Sequence, residues 1–315
     1  MGATSHDVHI DKALSEFAIG YRPEGFIADM ILPTVNVQKQ SDLYIIFNRD
    51  DTMRRQNTTR AAGVEAKTVT REVGSATYFA KNYALKAPLT IEDKSNMDAG
   101  LYNTLVEGRT EFVMDHLLLD WEIRVAAQVT NTSNVGSSAA VDSAWNGAGN
   151  VLGDMNAAID NVRYSNGVAP TDAVLGAAAW DSARRDSTVR NLIFGTNNGG
   201  GYPSEQQFAD LVGLKRIHVG GAFQNTGGEG LDEAIAVIWD DHVLVYYRPD
   251  SPTIERPSFG YNIRWAAAGL PNMQAERHPY NSRTHSEEVE VGYYQDEVIT
   301  GSTYGFLLTA VNSST

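Results

Sequence analysis

Twenty-seven mostly polar residues, Arg49 to Ser75, separate two short runs of β-forming sequence, Leu43–Phe47 and Tyr78–Leu85. Connections longer than about 12–15 residues are rare inside a compact domain unless they carry structure or a task of their own. Lys67, Val69, Arg71 and Val73 alternate along this one, which points to extended strands. The chain is therefore expected to carry a long two-stranded arm. So little apolar content cannot bury a core, and an isolated hairpin is marginal in water. The arm has to lie against another surface.

Charge says what kind of surface. Residues 39–86 hold nine basic and five acidic groups, a net +4, while the rest of the chain holds 16 basic and 34 acidic, a net −18. The whole is −14, the reverse of a protein built to grip nucleic acid. Of the 315 residues 42% are apolar and 20% charged, the composition of a folded chain. No stretch approaches the roughly 18 apolar residues of a membrane span, so no membrane partner is expected. Met1–His6 lacks the apolar core of a signal peptide. Cysteine is absent, so packing, hydrogen bonds and charge must hold the fold.

Residues 1–38 read as an N-terminal arm ending in the extended Ile31–Val37, with Pro33 biasing Leu32 away from helix. From Met97 to Val129 the apolar residues Leu105, Val106, Phe112, Val113, Leu117 and Trp121 recur at helical spacing. Asn96 and Asp98 would open a helix there, on the order of 45 Å long at 1.5 Å per residue. The Ser/Asn/Gly/Ala-rich stretch 130–149 reads as a boundary. An α/β region follows: a helix over Leu152–Tyr164, a strand at Ala173–Leu175, mixed helix over Ala177–Ile193, a glycine-rich loop, a helix opened by Ser204, and a strand at Arg216–Val219. Ala234–Trp239 and Val243–Tyr247 read as a hairpin around Asp240-Asp241-His242. Ser258–Trp265, Glu288–Tyr294 and Tyr304–Val311 close the chain as β.

The usual chemistry is missing. There is no phosphate loop, no strand followed by G-x-G-x-x-G, no H-E-x-x-H and no G-x-S-x-G elbow. His6 and His9 sit in a terminus and make a poor metal pair. Asp240-Asp241 fits a turn better than an acid–base pair. Glu287, Glu288, Glu290, Asp296 and Glu297 lack calcium-loop spacing and read as a solvated acidic face. No catalytic residue, metal or cofactor is expected, and the chain reads as no enzyme.

The order of parts resembles the tailed-bacteriophage major capsid proteins of the Hong Kong 97 type. It runs from an N-terminal arm through a polar hairpin arm and one long helix to a compact α/β domain and a β-rich return. Ile27-Ala-Asp-Met-Ile-Leu-Pro33 is similar to their arm-to-body junction, and Ile238–Pro249 followed by Pro257–Trp265 to a stretch of several capsid families. The resemblance implies an α+β capsid fold with an N-terminal arm at 1–38, an E-loop at 39–87, and a P-domain with a long spine helix at 88–140. An A-domain at 141–251, P-domain return strands at 252–300 and a C-terminal strand at 301–315 returning to the A-domain complete it.

It further implies self-assembly into hexamers and pentamers of an icosahedral virion shell, formed in the host cytoplasm around DNA held without sequence-specific binding. A portal and a decoration protein are implied partners. The chain begins almost at the arm, so either scaffolding is a separate protein or Met1 follows a different gene organisation. An encapsulin-like compartment enclosing a cargo enzyme is the alternative. Contacts between two different patches on identical copies build rings or lattices, and a basic arm on an acidic body is such a case. Residues 284–315 hold five acidic and no basic groups. Arg54, Arg55, Arg60 and Lys67 are therefore the expected interface cations, with Glu287, Glu288 and Glu290 of a neighbour as their partners.

Overall fold

The computed structural model describes residues 9–10, 14–15, 18, 21, 23–46, 55, 57–69, 74–96, 101–195, 201–228, 230–253, 256–266 and 273–312. The first elements are β1 (His9–Ile10), α1 (Ala28–Ile31), β2 (Thr34–Val37), the arm strands β3 (Ser41–Ile46) and β4 (Gly74–Phe79), and β5 (Lys81–Thr90). A short helix α2 (Ile91–Ser95) precedes the long α3 (Tyr102–Val129).

The long helix starts later than the sequence suggests. Thr90 caps α2 by accepting the Asp93 N–H at 3.2 Å, and Asn96 ends α2 rather than opening α3. Asp98 lies outside the described residues. From there α3 buries Val106, Val113, Met114, Leu117, Leu118, Trp121, Val125, Ala126 and Val129 along one stripe. Each such side chain contributes roughly 1.5–3 kcal/mol of apolar burial, so the stripe fixes the helix to the sheet beneath it.

Tyr78–Leu85 is two strands, not one. The Phe79 N–H goes to the Asp296 carboxylate and the Ala80 N–H to Gln40 O, both at 2.9 Å. There the chain leaves the arm and joins the main sheet. The inward side shifts by one residue: Tyr78 and Ala80 are buried before the break, Ala87 and Leu89 after it. Phe79 and Leu85 are exposed.

The later elements are β6 (Ser137–Ala140), α4 (Val151–Asn166), β7 (Asp172–Gly176), α5 (Ala177–Arg185), α6 (Ser187–Phe194), α7 (Glu205–Val212), β8 (Arg216–Gly220), β9 (Phe223–Asn225), β10 (Ile235–Val237) and β11 (Val243–Tyr246). They are followed by β12 (Gly260–Trp265), β13 (Gln274–Asn281), β14 (Ser286–Ile299) and β15 (Gly305–Thr309). Ser204 and Gln207 form the capping box that opens α7, and Asp186 splits the expected Ala177–Ile193 helix by capping α6.

Two sheets result. One runs β1-β13-β14-β12-β2, with β5 also on β14, and α3 packs against β5 and β14. The other runs β6-β15-β11-β7-β8. Two expectations fail here because pairing is long-range. The stretch 130–149 supplies an edge strand, β6, parallel to β15. The expected hairpin does not form, since β10 pairs with β9 while β11 lies between β15 and β7. At Gly176, where β7 turns into α5, a Cβ would sit 1.7 Å from Asp240 O, so only glycine fits.

Candidate functional site

The arm protrudes. β3 and β4 pair antiparallel from Ser41 with Phe79 to Ile46 with Gly74. Beyond them residues 57–69 are exposed throughout, around a turn in which Val64 N–H reaches Ala61 O at 3.3 Å and Gly63 takes φ +82°. The Arg60 Nε donates to Val64 O and holds that turn. Arg55, Arg60 and Lys67 all face solvent; Arg54 lies outside the described residues. Val64 and Val69 are also open. No core explains this segment.

Strand alternation sorts the expected acidic partners onto two sides of β14. Val289, Val291 and Tyr293 point inward toward α3, and Glu287 shares their side. Its carboxylate is closed in by Lys94 at 2.8 Å, Arg277 at 2.7 Å and the Tyr102 hydroxyl. Burial pushes the Glu287 pKa up, but these donors win and hold it down at about 2. Burial and the bond to Glu287 push Tyr102 up to about 12.

Glu288 and Glu290 point the other way. Glu288 holds Lys86 at 2.7 Å across the β5 ladder, and Glu290 meets His278 at 2.9 Å. Glu276 stands directly opposite Glu290 in the β13 register. Like charges facing across a ladder destabilise a sheet, and among the described residues this face sets three carboxylates against Lys86, which stands opposite Glu290 on β5, and His278.

Sequence reasoning missed the carboxylate that ties the arm junction together. Glu122 on α3 is 1% exposed and accepts the N–H groups of Ile27 at 2.9 Å and Ala28 at 2.8 Å, and the Trp239 indole at 2.6 Å. Burial raises its pKa and the donors oppose the rise. The signal was readable: one acid in an otherwise apolar stripe between Leu118 and Val125. Farther along β14, Arg124 stacks over Tyr83 with its guanidinium 3.6 Å from the ring centre and reaches the buried Glu297 at 3.2 Å.

The Asp240-Asp241-His242 turn brings three ligand-type atoms within 4.8 Å of one another. Asp240 is exposed in the left-handed region at φ 44°, and Asp241 accepts the Asn312 N–H at 3.2 Å. The Asn312 bond ties this turn to the segment that follows β15. Among the described residues no helix is long and apolar enough to cross a membrane.

No family model matches the sequence. Over 303 residues, 94% of this chain and 95% of the relative, it is 25% identical to the major capsid protein of Pseudomonas phage JBD67. The crystal structure of a phage-related protein from Bordetella bronchiseptica RB50 matches with a TM-score of 0.74 at 19% identity, covering 98% of this chain and 99% of that one. The capsid of cyanophage P-SCSP1u matches at 0.55 and 11%, covering 99% and 93%. The fold is that of a phage capsid subunit of the Hong Kong 97 type. A virus-like particle from Pyrococcus furiosus shares it at 0.55 and 12%, covering 94% and 96%.

Proposed function

We propose that this chain is the major capsid protein of a tailed phage. Copies join as hexamers and pentamers into an icosahedral shell that encloses DNA in the virion. The observation that carries the reading is the exposed basic arm, residues 57–69, with no partner surface among the described residues of its own subunit. In this reading the N-terminal arm spans 1–38 and the E-loop 39–87. The spine-helix P-domain spans 88–140 with return strands at 252–300, and the A-domain spans 141–251 with the strand of 301–315.

The arm of one copy lies on the outward face of a neighbour's β14, where Arg54, Arg55, Arg60 and Lys67 meet Glu288 and Glu290. Glu276 adds to that acidic face from β13. Glu287 supports the face from behind, since its charge is already matched inside the subunit. An acidic body also suits a container, because a basic wall would hold packaged DNA by counterion release. The role is structural rather than enzymatic, with a separate scaffolding protein, a portal and a decoration protein as companions.

Sedimentation and negative-stain microscopy of purified protein, with nucleic-acid content of the fast fraction, test this. Hollow or DNA-filled icosahedral particles support it. Shells holding a protein cargo instead would favour the encapsulin-like compartment, a reading that the match to a virus-like particle keeps in play.

A further inference from the structure

The outer side of α3 carries three features that no packing among the described residues explains. Glu107, Glu111 and Asp115 form an exposed row at four-residue spacing, where like charges destabilise a helix. Phe112, beside that row, is 54% exposed, and its ring meets only His116 edge-on at 4.6 Å among its ring contacts. Gly108, one turn before it, sits mid-helix with nothing within 4 Å of where a Cβ would be. Glycine there costs roughly 0.5–1 kcal/mol relative to alanine and gains no internal packing. Tyr21 feels the same field: its hydroxyl donates to Asp115 at 2.8 Å, and that bond, burial and the nearby carboxylates push its pKa up to about 12.

We propose that this face, Glu107, Gly108, Glu111, Phe112 and Asp115, is a docking surface for a basic amphipathic helix of a separate chain. The notch at Gly108 lets a second helix backbone approach, Phe112 gives it an apolar anchor, and carboxylates about 6 Å apart match lysines or arginines four residues apart. The chain's own arm is the wrong shape. Its exposed stretch is not helical, and Arg60 and Lys67 are spaced seven residues apart. The arm's proposed target also lies on the opposite side of the β-layer, since α3 covers the inward face of β5 and β14 and Glu288 and Glu290 look outward. Nucleic acid is repelled by the row. In the shell reading, on which this last identification rests, such a helix belongs to a scaffolding chain.

The test uses the full-length subunit and a fluorescent synthetic leucine–lysine peptide that forms an amphipathic helix, with a scrambled peptide of the same composition as its rival. Anisotropy should show the helical peptide binding about tenfold more tightly than the scrambled one. Gly108→Leu and Phe112→Ala should each weaken it about fivefold or more, while Asp142→Asn leaves it unchanged. Gly108→Ala and Glu111→Gln should raise the subunit's Tm while weakening the peptide, a combination that a misfolded variant cannot give. Equal affinity for the scrambled peptide, or no loss with Gly108→Leu, would overturn the surface. Concentration-dependent self-association abolished by Gly108→Leu would reassign it to a second copy. Because the peptide assay uses free subunits, its failure is distinct from a failure to form shells.

Discussion

On the inward side of β14, Glu287 and Glu297 are enclosed by Lys94, Arg277, Tyr102 and Arg124. One residue away, on the outward side, Glu288 and Glu290 share a face with Glu276 and pair, among the described residues, with Lys86 and His278. The same residue type, at adjacent positions of one strand, does two kinds of work. Inward carboxylates are partnered because burying an unpaired charge is costly. Each outward one has a single basic partner, Lys86 or His278, against the two cations and a hydroxyl around Glu287, so it is less fully neutralised. Where the charge faces, rather than how much of it a segment holds, separates stability from assembly.

The sharpest way to break this comparison is to remove an inward carboxylate and find little cost. Glu122→Ala leaves three buried donors, Ile27 N–H, Ala28 N–H and the Trp239 indole, without an acceptor. Urea unfolding should show a loss of about 3–5 kcal/mol. Glu287→Gln is expected to cost less, about 2 kcal/mol, because its surroundings are only partly closed.

Glu287 also sets a pH signature. Its pKa falls from the ordinary 4.5 to about 2 on folding, so its contribution is fully present above 4.5 and is lost as pH falls toward 2. Wild-type protein should lose stability across that window more steeply than Glu287→Gln. The smallest effect belongs to the outward face. Glu288→Gln with Glu290→Gln should shift subunit stability by no more than about 0.5 kcal/mol. Shell yield should nevertheless fall sharply in sedimentation. A large stability loss from that pair would show that the two faces are not distinct.

Much of the architecture was legible because it is local. The periodicity of α3, the Ser204–Gln207 box of α7, and the apolar runs of β7, β11 and β15 are all set by residues close in sequence. Pairing is not local, which is why β10 appeared to belong with β11 and why the Ser/Ala strand β6 appeared to be a linker. The break at Ala80 was invisible because it arises from Gln40 and Asp296, far apart in the chain. β13 was missed because Gln274–Asn281 carries almost no apolar alternation. Of the candidate site, net charge pointed to both the arm and the glutamates. It could not tell Glu287 from Glu288, since that distinction depends on register against Tyr102 and Arg277.

The most direct test of the account reverses the arm's charge and leaves the body untouched. Arg54→Glu with Arg55→Glu should leave the urea midpoint of the subunit unchanged while sedimentation and negative stain show shells replaced by free subunits or capsomers. Normal shells from the double variant, with the wild type assembling under the same conditions, would contradict the claim that the arm's basic charge joins one subunit to the next.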